Sequence, residues 1–462
     1  MAWVEALRAV LAGRLRQWGP AARRWLVWFA VALAGASGPV RAQGLIEVYG
    51  QARESDPRFR AAQAEARASR AQLDQARAGF LPSAQFEATW LQSRQSVLKS
   101  NNPIFGAGVT RFPTDVQSLS ITQPVFRMDV IERLRQARAG VRQAEFSLIG
   151  AEQDLILRTT AAYLALLAAQ DALDLVRAER EAISRALDLA REKLKMGLGT
   201  VVNLHDATAR FELARAREVE AGNKLNDARQ ALREITGRVV ESPQRLKGEF
   251  PLVLPEPVSQ DRWVSVALQQ NLGVQARREA TEVARQEVAK QRTGHYPTVN
   301  LQLSHNRRDT GSTLFGGGSL VDTTELTLKL TVPIYQGGYT SAVTREAVHR
   351  HQKSQEELEL ERRAVERQAR SAYDGTVGGV ALVKALEQTV LSQQSALEAK
   401  EQGFRSGLFT VLPVLDAQRD LYSARRDFAN ARYEYLLNRL KLKQAAGSLS
   451  ESDLELVRAA LQ

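Results

Sequence analysis

Long stretches of the chain place apolar residues at alternating steps of three and four. One such seam runs Leu204, Ala207, Phe211, Ala214, Glu218, Ala221, Leu225, Ala228, Leu232 and Ile235. A second runs Val414, Ala417, Leu421, Ala424, Phe428, Ala431, Tyr435, Asn438, Leu442 and Ala445. That spacing is the coiled-coil period. Ala fills most of every second place, so large and small residues alternate and neighbouring helices can approach closely. A longer helix carries the same seam at Leu173, Val176, Arg180, Ile183, Leu187, Ala190 and Leu194. From Met128 to Met196 only single glycines interrupt the helical pattern. This predicts a rod of roughly 100 Å at 1.5 Å per residue. Helices near Leu45–Ala78 and Val202–Thr236 are each about half as long, so end to end they would match the rod. The pattern predicts a tall wall of paired helices, with the half-length ones meeting near mid-height. An ordinary soluble bundle would show the same seams.

Between the helices lie four short alternating segments. Ala84, Phe86, Ala88 and Trp90 alternate with Gln85, Glu87 and Thr89; Leu119 and Ile121 alternate with Ser118, Ser120 and Thr122. Val299, Leu301 and Leu303 alternate with Asn300, Gln302 and Ser304; Leu326, Leu328, Leu330 and Val332 alternate with Thr327, Lys329 and Thr331. Strands are therefore predicted near 83–92, 116–125, 298–305 and 325–334. One apolar face and one polar face suit a barrel strand between lipid and water. A half-buried soluble sheet gives the same alternation. The loops joining each pair, with Ser100-Asn101-Asn102-Pro103 and Gly316-Gly317-Gly318, are polar and belong on one side. Four strands are too few to close a membrane barrel, whose smallest examples have about 8. Open edges are not tolerated in lipid. If the strands span a bilayer, several chains share one barrel. Three would give twelve strands, although nothing in the pattern fixes that number.

The chain also repeats itself. Gly79-Phe80-Leu81-Pro82 returns as Gly294-His295-Tyr296-Pro297, and Gln123-Pro124-Val125-Phe126 as Val332-Pro333-Ile334-Tyr335. Ala162-Tyr163, Gly197-Leu198, Asp206-Ala207 and Gly237 return as Ala372-Tyr373, Gly407-Leu408, Asp416-Ala417 and Gly447, all at one offset of 210 residues. Each half reads helix, strand, loop, strand, long helix, turn, helix. The organisation is a leader over 1–42, a first repeat over 43–237, a Pro-rich link over 238–262, a second repeat over 263–447 and a C-terminal segment over 448–462. The link contains Pro243, Pro251, Pro255 and Pro257.

Composition narrows the chemistry. The 462 residues include no Cys, which excludes disulfides, thiolate metal sites and a lipid-anchored N-terminal Cys. The net charge is +11. The leader has Glu5 against Arg8, Arg14, Arg16, Arg23, Arg24 and Arg41. The rest therefore carries about +6, interspersed with acids, and no basic stripe points to nucleic acid. The basic stretch ending at Arg23-Arg24, the apolar run Trp25–Ala34 and Val40-Arg41-Ala42 resemble a secretory signal cleaved before Gln43. An uncleaved anchor is the alternative. His349 and His351 stand two apart on a helix and make a poor metal pair. Gly197-x-Gly199 has no following Gly or Lys for phosphate. No nucleophile and base stand in a catalytic arrangement. The chain is read as a non-enzyme without cofactor or metal.

Several stretches carry a family resemblance. They are Gly294-His295-Tyr296-Pro297, Val332-Pro333-Ile334-Tyr335-Gln336-Gly337-Gly338, Val414-Leu415-Asp416-Ala417 and Ala429–Leu436, together with strand–Pro–helix corners in both halves. On these the chain resembles the TolC family of outer-membrane efflux and secretion channels, over Leu45 to Leu456. The resemblance implies a mainly α fold with a small β part. A long coiled-coil α-helical barrel would continue a transmembrane β-barrel shared by a homotrimer. It also implies location in the outer membrane, with the helical part and the equatorial link in the periplasm. Its partners would be a periplasmic adaptor and an inner-membrane transporter, either ABC or proton-driven. The cargo of such a conduit, small molecules or a type I secreted protein, is not specified. A periplasmic coiled-coil adaptor is the competing reading, but it would need one helical hairpin between β-rich domains.

The family closes its tunnel at the periplasmic tip with polar links and acidic rings. The corresponding tip here is Lys195–Asp206 and Arg405–Asp416. By resemblance, Asp416 matches a ring aspartate, and three copies around an axis would form a cation-attracting constriction. Arg432 matches a basic residue of the gate network. Pro413 stands in place of the other ring aspartate, Asn203 where an acid is common, and Phe404 and Phe409 in place of a tyrosine and an arginine of the links. A gate with fewer polar contacts is expected. The alternative for Asp416 is a helix cap at a turn.

Overall fold

The computed structural model describes residues 44–99, 101, 107–313 and 316–462. The expected leader and the loop positions 100, 102–106 and 314–315 lie outside the described residues. The first half runs α1 (Leu45–Ser55), α2 (Pro57–Ala78), β1 (Ser83–Val97), β2 (Gly108–Phe126), α3 (Met128–Lys195) and α4 (Val201–Thr236). The second half runs α5 (Gln260–Gln270), α6 (Leu272–Arg292), a 3-10 turn at Thr293–His295, β3 (Thr298–Thr310), β4 (Ser319–Thr331), α7 (Tyr339–Arg405) and α8 (Val411–Ala445). A short α9 (Ser452–Ala459) follows. The duplication is thus structural: the two halves have the same element order.

α3 and α7 hold 68 and 67 residues, so each rod is about 100 Å long. α2 and α4 flank α3, while α6 and α8 lie between α3 and α7. The wall therefore reads α2/α4, α3, α6/α8, α7 and has two free flanks. Leu360, Leu382 and Leu391 of α7 and Leu213 and Val219 of α4 are exposed. Among the described residues no helix is long and apolar enough to cross a membrane.

The helix expected over Leu45–Ala78 is broken. Asp56 is extended, and its carboxylate accepts the Phe59 N–H at 2.8 Å. Pro57 opens α2 at its first position, where a missing N–H costs nothing and the residue before it is driven out of the helical region. Asn271 makes the equivalent break between α5 and α6, accepting from the Gly273 and Val274 N–H groups. Local side-chain capping overrides the helical period at both places.

The four strands form one antiparallel sheet in the order β1-β2-β3-β4. The register aligns the four apolar sets. Ala84 faces Ile121, Ile121 faces Leu303, and Leu303 faces Leu326. Opposed residues share a face, so all four strands present their apolar side chains together. Phe86, Trp90, Leu326, Leu328 and Leu330 are exposed on it. The strands are longer than expected, at 15, 19, 13 and 13 residues, whereas a membrane strand needs about 9–11. Hydrogen bonding continues past the apolar band into rows such as Arg307 opposite Asp322, where apolar alternation has ended. β1 and β4 each leave one edge unpaired within the chain.

The main core lies where the half-length helices meet. Tyr49, Tyr163, Tyr435, Leu155, Leu166 and Leu454 are fully buried there. Two tyrosines fasten the link. The Tyr163 hydroxyl accepts the Gln244 N–H at 2.8 Å, and the Tyr435 hydroxyl accepts the Val253 N–H at 2.8 Å and donates to the Val253 carbonyl at 2.8 Å. The C-terminal residues close over it: Arg245 and Gln462 exchange backbone hydrogen bonds at 3.1 and 2.8 Å.

Candidate functional site: the paired helix turns

Opposite the sheet, a tight turn joins the last two helices of each repeat, and the two turns have one geometry. The Leu198 N–H donates to the Lys193 carbonyl, and the Leu408 N–H to the Gly403 carbonyl, both at 2.8 Å. Gly197 and Gly407 take φ of 71° and 79°. This is a Schellman ending, which requires a left-handed residue that only Gly adopts without strain. Thr200 then starts α4 by accepting the Asn203 N–H at 3.3 Å. Beyond each glycine the apolar residues point outward: Leu198 and Leu408 are 75% and 78% exposed, and Val202 is exposed beside them.

Two small apolar clusters hold the hairpins together behind the turns. Ile183, Leu187 and Ala190 of α3 and Ala207 and Ala214 of α4 enclose Val411 and Leu415 of α8. Leu397 of α7 packs on Val414, Ala417 and Leu421 of α8. Phe404 touches both clusters. The Lys193 ammonium lies 3.9 Å from its ring centre, a cation–π contact between α3 and α7.

Asp416 is paired rather than free. Its Oδ1 accepts from Arg210 Nη2 of α4 at 2.8 Å, and Arg419 Nη1 stands 3.7 Å away. Arg419 also holds Asp420 at 2.9 Å. Higher up, Glu179 is buried, which pushes its carboxyl up, while Arg217 at 3.4 Å and the more distant Arg426 and Arg419 pull it back. Phe409 is half exposed, and its ring lies so close over Gly403 that a Cβ there would collide with it. Pro413 occupies the first turn of α8, where its missing N–H has no helical partner to lose.

Asn203, Phe404, Phe409 and Asp416 thus fall within two turns of the hairpin ends. Arg432 does not join them. It lies 16 residues beyond Asp416 on α8, about 24 Å away along the helix. Its guanidinium stacks between Phe250 at 5.2 Å and Phe428 at 5.3 Å and donates to the Lys247 carbonyl. Burial lowers its pKa. Arg432 is therefore a clamp on the link. Beside it the Tyr433 hydroxyl donates to Asp171 at 2.6 Å; burial and that carboxylate raise its pKa. Neither periodicity nor resemblance singled out Arg210, Arg419 or Lys193. Arg210 directly precedes seam residue Phe211, a flank position where coiled coils place inter-helix charges, so a signal was present.

An open sheet with an exposed apolar face, continued by a helical wall with free flanks, defines a subunit of a membrane channel that only further copies can close. Comparison with known proteins gives its family. Residues 48–238 and 263–448 match the outer membrane efflux protein family, one match per repeat. The chain is 32% identical to the outer membrane protein TolC of Vibrio cholerae over 94% of this chain and 98% of that protein. It is 31% identical to the alkaline protease secretion protein AprF of Pseudomonas aeruginosa over 95% and 91%. Its fold matches the crystal structure of the Campylobacter jejuni CmeC outer membrane channel with a TM-score of 0.78 and 16% identity, over 90% and 89% of the two chains. The chain belongs to the outer membrane efflux protein family, in its TolC branch. It is an outer-membrane channel subunit, not an enzyme, and its helical barrel stands in the periplasm.

Proposed function

We propose that three copies form one passive conduit for small-molecule efflux and type I protein secretion. The observation that carries this reading is the coincidence of two open edges. The sheet leaves one edge of β1 and one edge of β4 unpaired, and the wall leaves as its flanks α2/α4, of which α2 leads into β1, and α7, which follows β4. One rotation about a common axis would pair β4 with a neighbour's β1 and lay α7 against that neighbour's α2/α4. Twelve strands then make a barrel, and the exposed leucines of α7 and α4 are buried. Relatives named for alkaline protease secretion and for proteases secretion support polypeptide cargo.

In this reading the six turns of the trimer form the periplasmic mouth. Asp416 lines the opening, Asn203, Phe404 and Phe409 frame it, and Arg432 steadies α8 from the link. The twin exposed leucines, Leu198 and Leu408, offer a periplasmic adaptor a repeated apolar contact, and the adaptor joins the conduit to an inner-membrane transporter. No nucleic acid takes part. Transport energy comes from the transporter.

The test is membrane fractionation followed by planar-bilayer recording of the full chain. An outer-membrane trimer with discrete conductance steps is expected. A monomer in the soluble periplasmic fraction without conductance overturns the reading. Replacing Leu198 and Leu408 with Ser should leave conductance intact and abolish cross-linking to the adaptor; unchanged cross-linking removes the docking assignment.

A further inference from the structure

Asp416 belongs to a four-charge group. Arg210 meets it at 2.8 Å, Arg419 stands 3.7 Å from the same oxygen, and Arg419 reaches Asp420 at 2.9 Å. Two guanidinium groups therefore balance two carboxylates in each chain. Three members of the set lie on α8. Only Arg210 comes from α4, and it makes the shortest contact with Asp416.

We propose that Arg210 sets the ionic selectivity of the periplasmic mouth by cancelling the charge of Asp416. This rests on the reading that Asp416 lines the opening. A carboxylate in a charge-assisted pair presents a dipole to a passing ion, and a dipole field fades faster with distance than that of a bare charge. Three paired Asp416 side chains thus form a ring of no net charge. Without Arg210, Arg419 is left to serve both Asp416 and Asp420, so each chain gains one net negative charge and the ring gains three. A narrow, low-dielectric passage concentrates counter-ions when it carries one sign of charge, by on the order of tenfold or more. The wild-type mouth discriminates weakly between cations and anions, and a selective filter appears only when the pair is broken.

Four variants of the full-length channel test this in planar bilayers: R210Q, R210K, D416N and R210Q/D416N. Reversal potentials in a KCl gradient and block by trivalent lanthanum added on the periplasmic side are recorded. R210Q should raise the cation-to-anion permeability ratio by about tenfold and create lanthanum block. R210K keeps the charge and should behave as wild type. D416N should shift selectivity toward anions, because Arg210 loses its partner. The double variant should return to wild type. If D416N shifts selectivity while R210Q leaves it unchanged, Arg210 does not set the charge, and the placement of Asp416 stands. If neither changes anything, Asp416 does not line the opening. Wild-type conductance of R210K establishes that the R210Q result reflects charge rather than failure to assemble.

Discussion

The equator and the tip are built from the same rods with the same seam, yet they are held together differently. At the equator, α1, α3, α4, α8 and α9 converge under the link, and large side chains such as Tyr49, Tyr163 and Tyr435 are sealed from solvent. At the tip the two clusters are small, with seven and four buried residues, and charged pairs such as Arg210–Asp416 between the hairpins are partly exposed. Area removed from water is the main source of cohesion, and half-exposed ion pairs add little. One helix is thus held by more buried apolar surface at its middle than near its end. The difference lies in how much apolar surface is buried at each level, not in the backbone, which is helical at both.

The strongest way to break this contrast is to make one substitution at both places. Leu155 and Leu415 are equally buried, at 0% and 1% exposure. Leu155→Ala should cost about 4–5 kcal/mol, because the crowded equator cannot collapse, while Leu415→Ala should cost about 3 kcal/mol. Denaturant unfolding of the purified channel measures both. Equal losses would show that the tip is packed as rigidly as the equator.

Next in size is Asp56, which pairs with Arg158 at 2.9 Å and caps α2. Burial alone would raise its pKa, but the Arg158 hydrogen bond and the Phe59 N–H outweigh burial and hold the carboxyl below its usual range. The stabilisation is therefore complete above the unfolded pKa of about 3.9 and is lost as pH falls through the lower folded value. Asp56→Ala should cost about 2–3 kcal/mol at neutral pH, since it removes the α2 cap together with one of the two carboxylates on Arg158, which keeps only Asp154 at 2.6 Å. It should also flatten the acid limb of a melting-temperature profile; an unaltered limb would assign the acid sensitivity elsewhere.

A smaller effect is expected from Tyr435→Phe, which keeps the ring and removes both hydrogen bonds to Val253. A loss of about 1–2 kcal/mol is expected, with faster hydrogen exchange confined to the link near Val253. Exchange that also rises at the turns would couple the two regions. The smallest effect belongs to Glu181→Ala, which removes an exposed pair with Arg185 on α3 toward the tip. Stability should change by less than about 0.5 kcal/mol. A larger loss would mean that the pair is buried against a neighbouring chain.

Much of the architecture is legible in the sequence. The two seams mark α4 and α8, the unbroken run from Met128 marks α3, and the four alternating segments mark four strands. The break at Asp56-Pro57 escapes periodicity although both residues carry a local signal, because the helical period continues on either side of them. Alternation also understates the strand ends nearest the loops, since it marks only the apolar band while hydrogen bonding extends beyond it, and at the other end of β4 it runs three residues past Thr331, where Pro333 has no N–H to pair. Within the candidate site, the placement of Asp416 near the turn follows from the repeat. Its pairing does not, because Arg210 is distant in sequence and its side chain crosses between hairpins.

Short-range physics is written into the sequence alone: helical period, turn glycines, capping residues, strand alternation and, through repetition, the equivalence of the two halves. Which charges meet was left to tertiary packing. Arg432 went to the link and Arg210 to Asp416, although both are arginines on the flank of a seam. A long flexible cation takes whichever carboxylate, carbonyl or ring the packing of distant helices brings within reach, and that choice is made by rods placed side by side, not by spacing along any one of them.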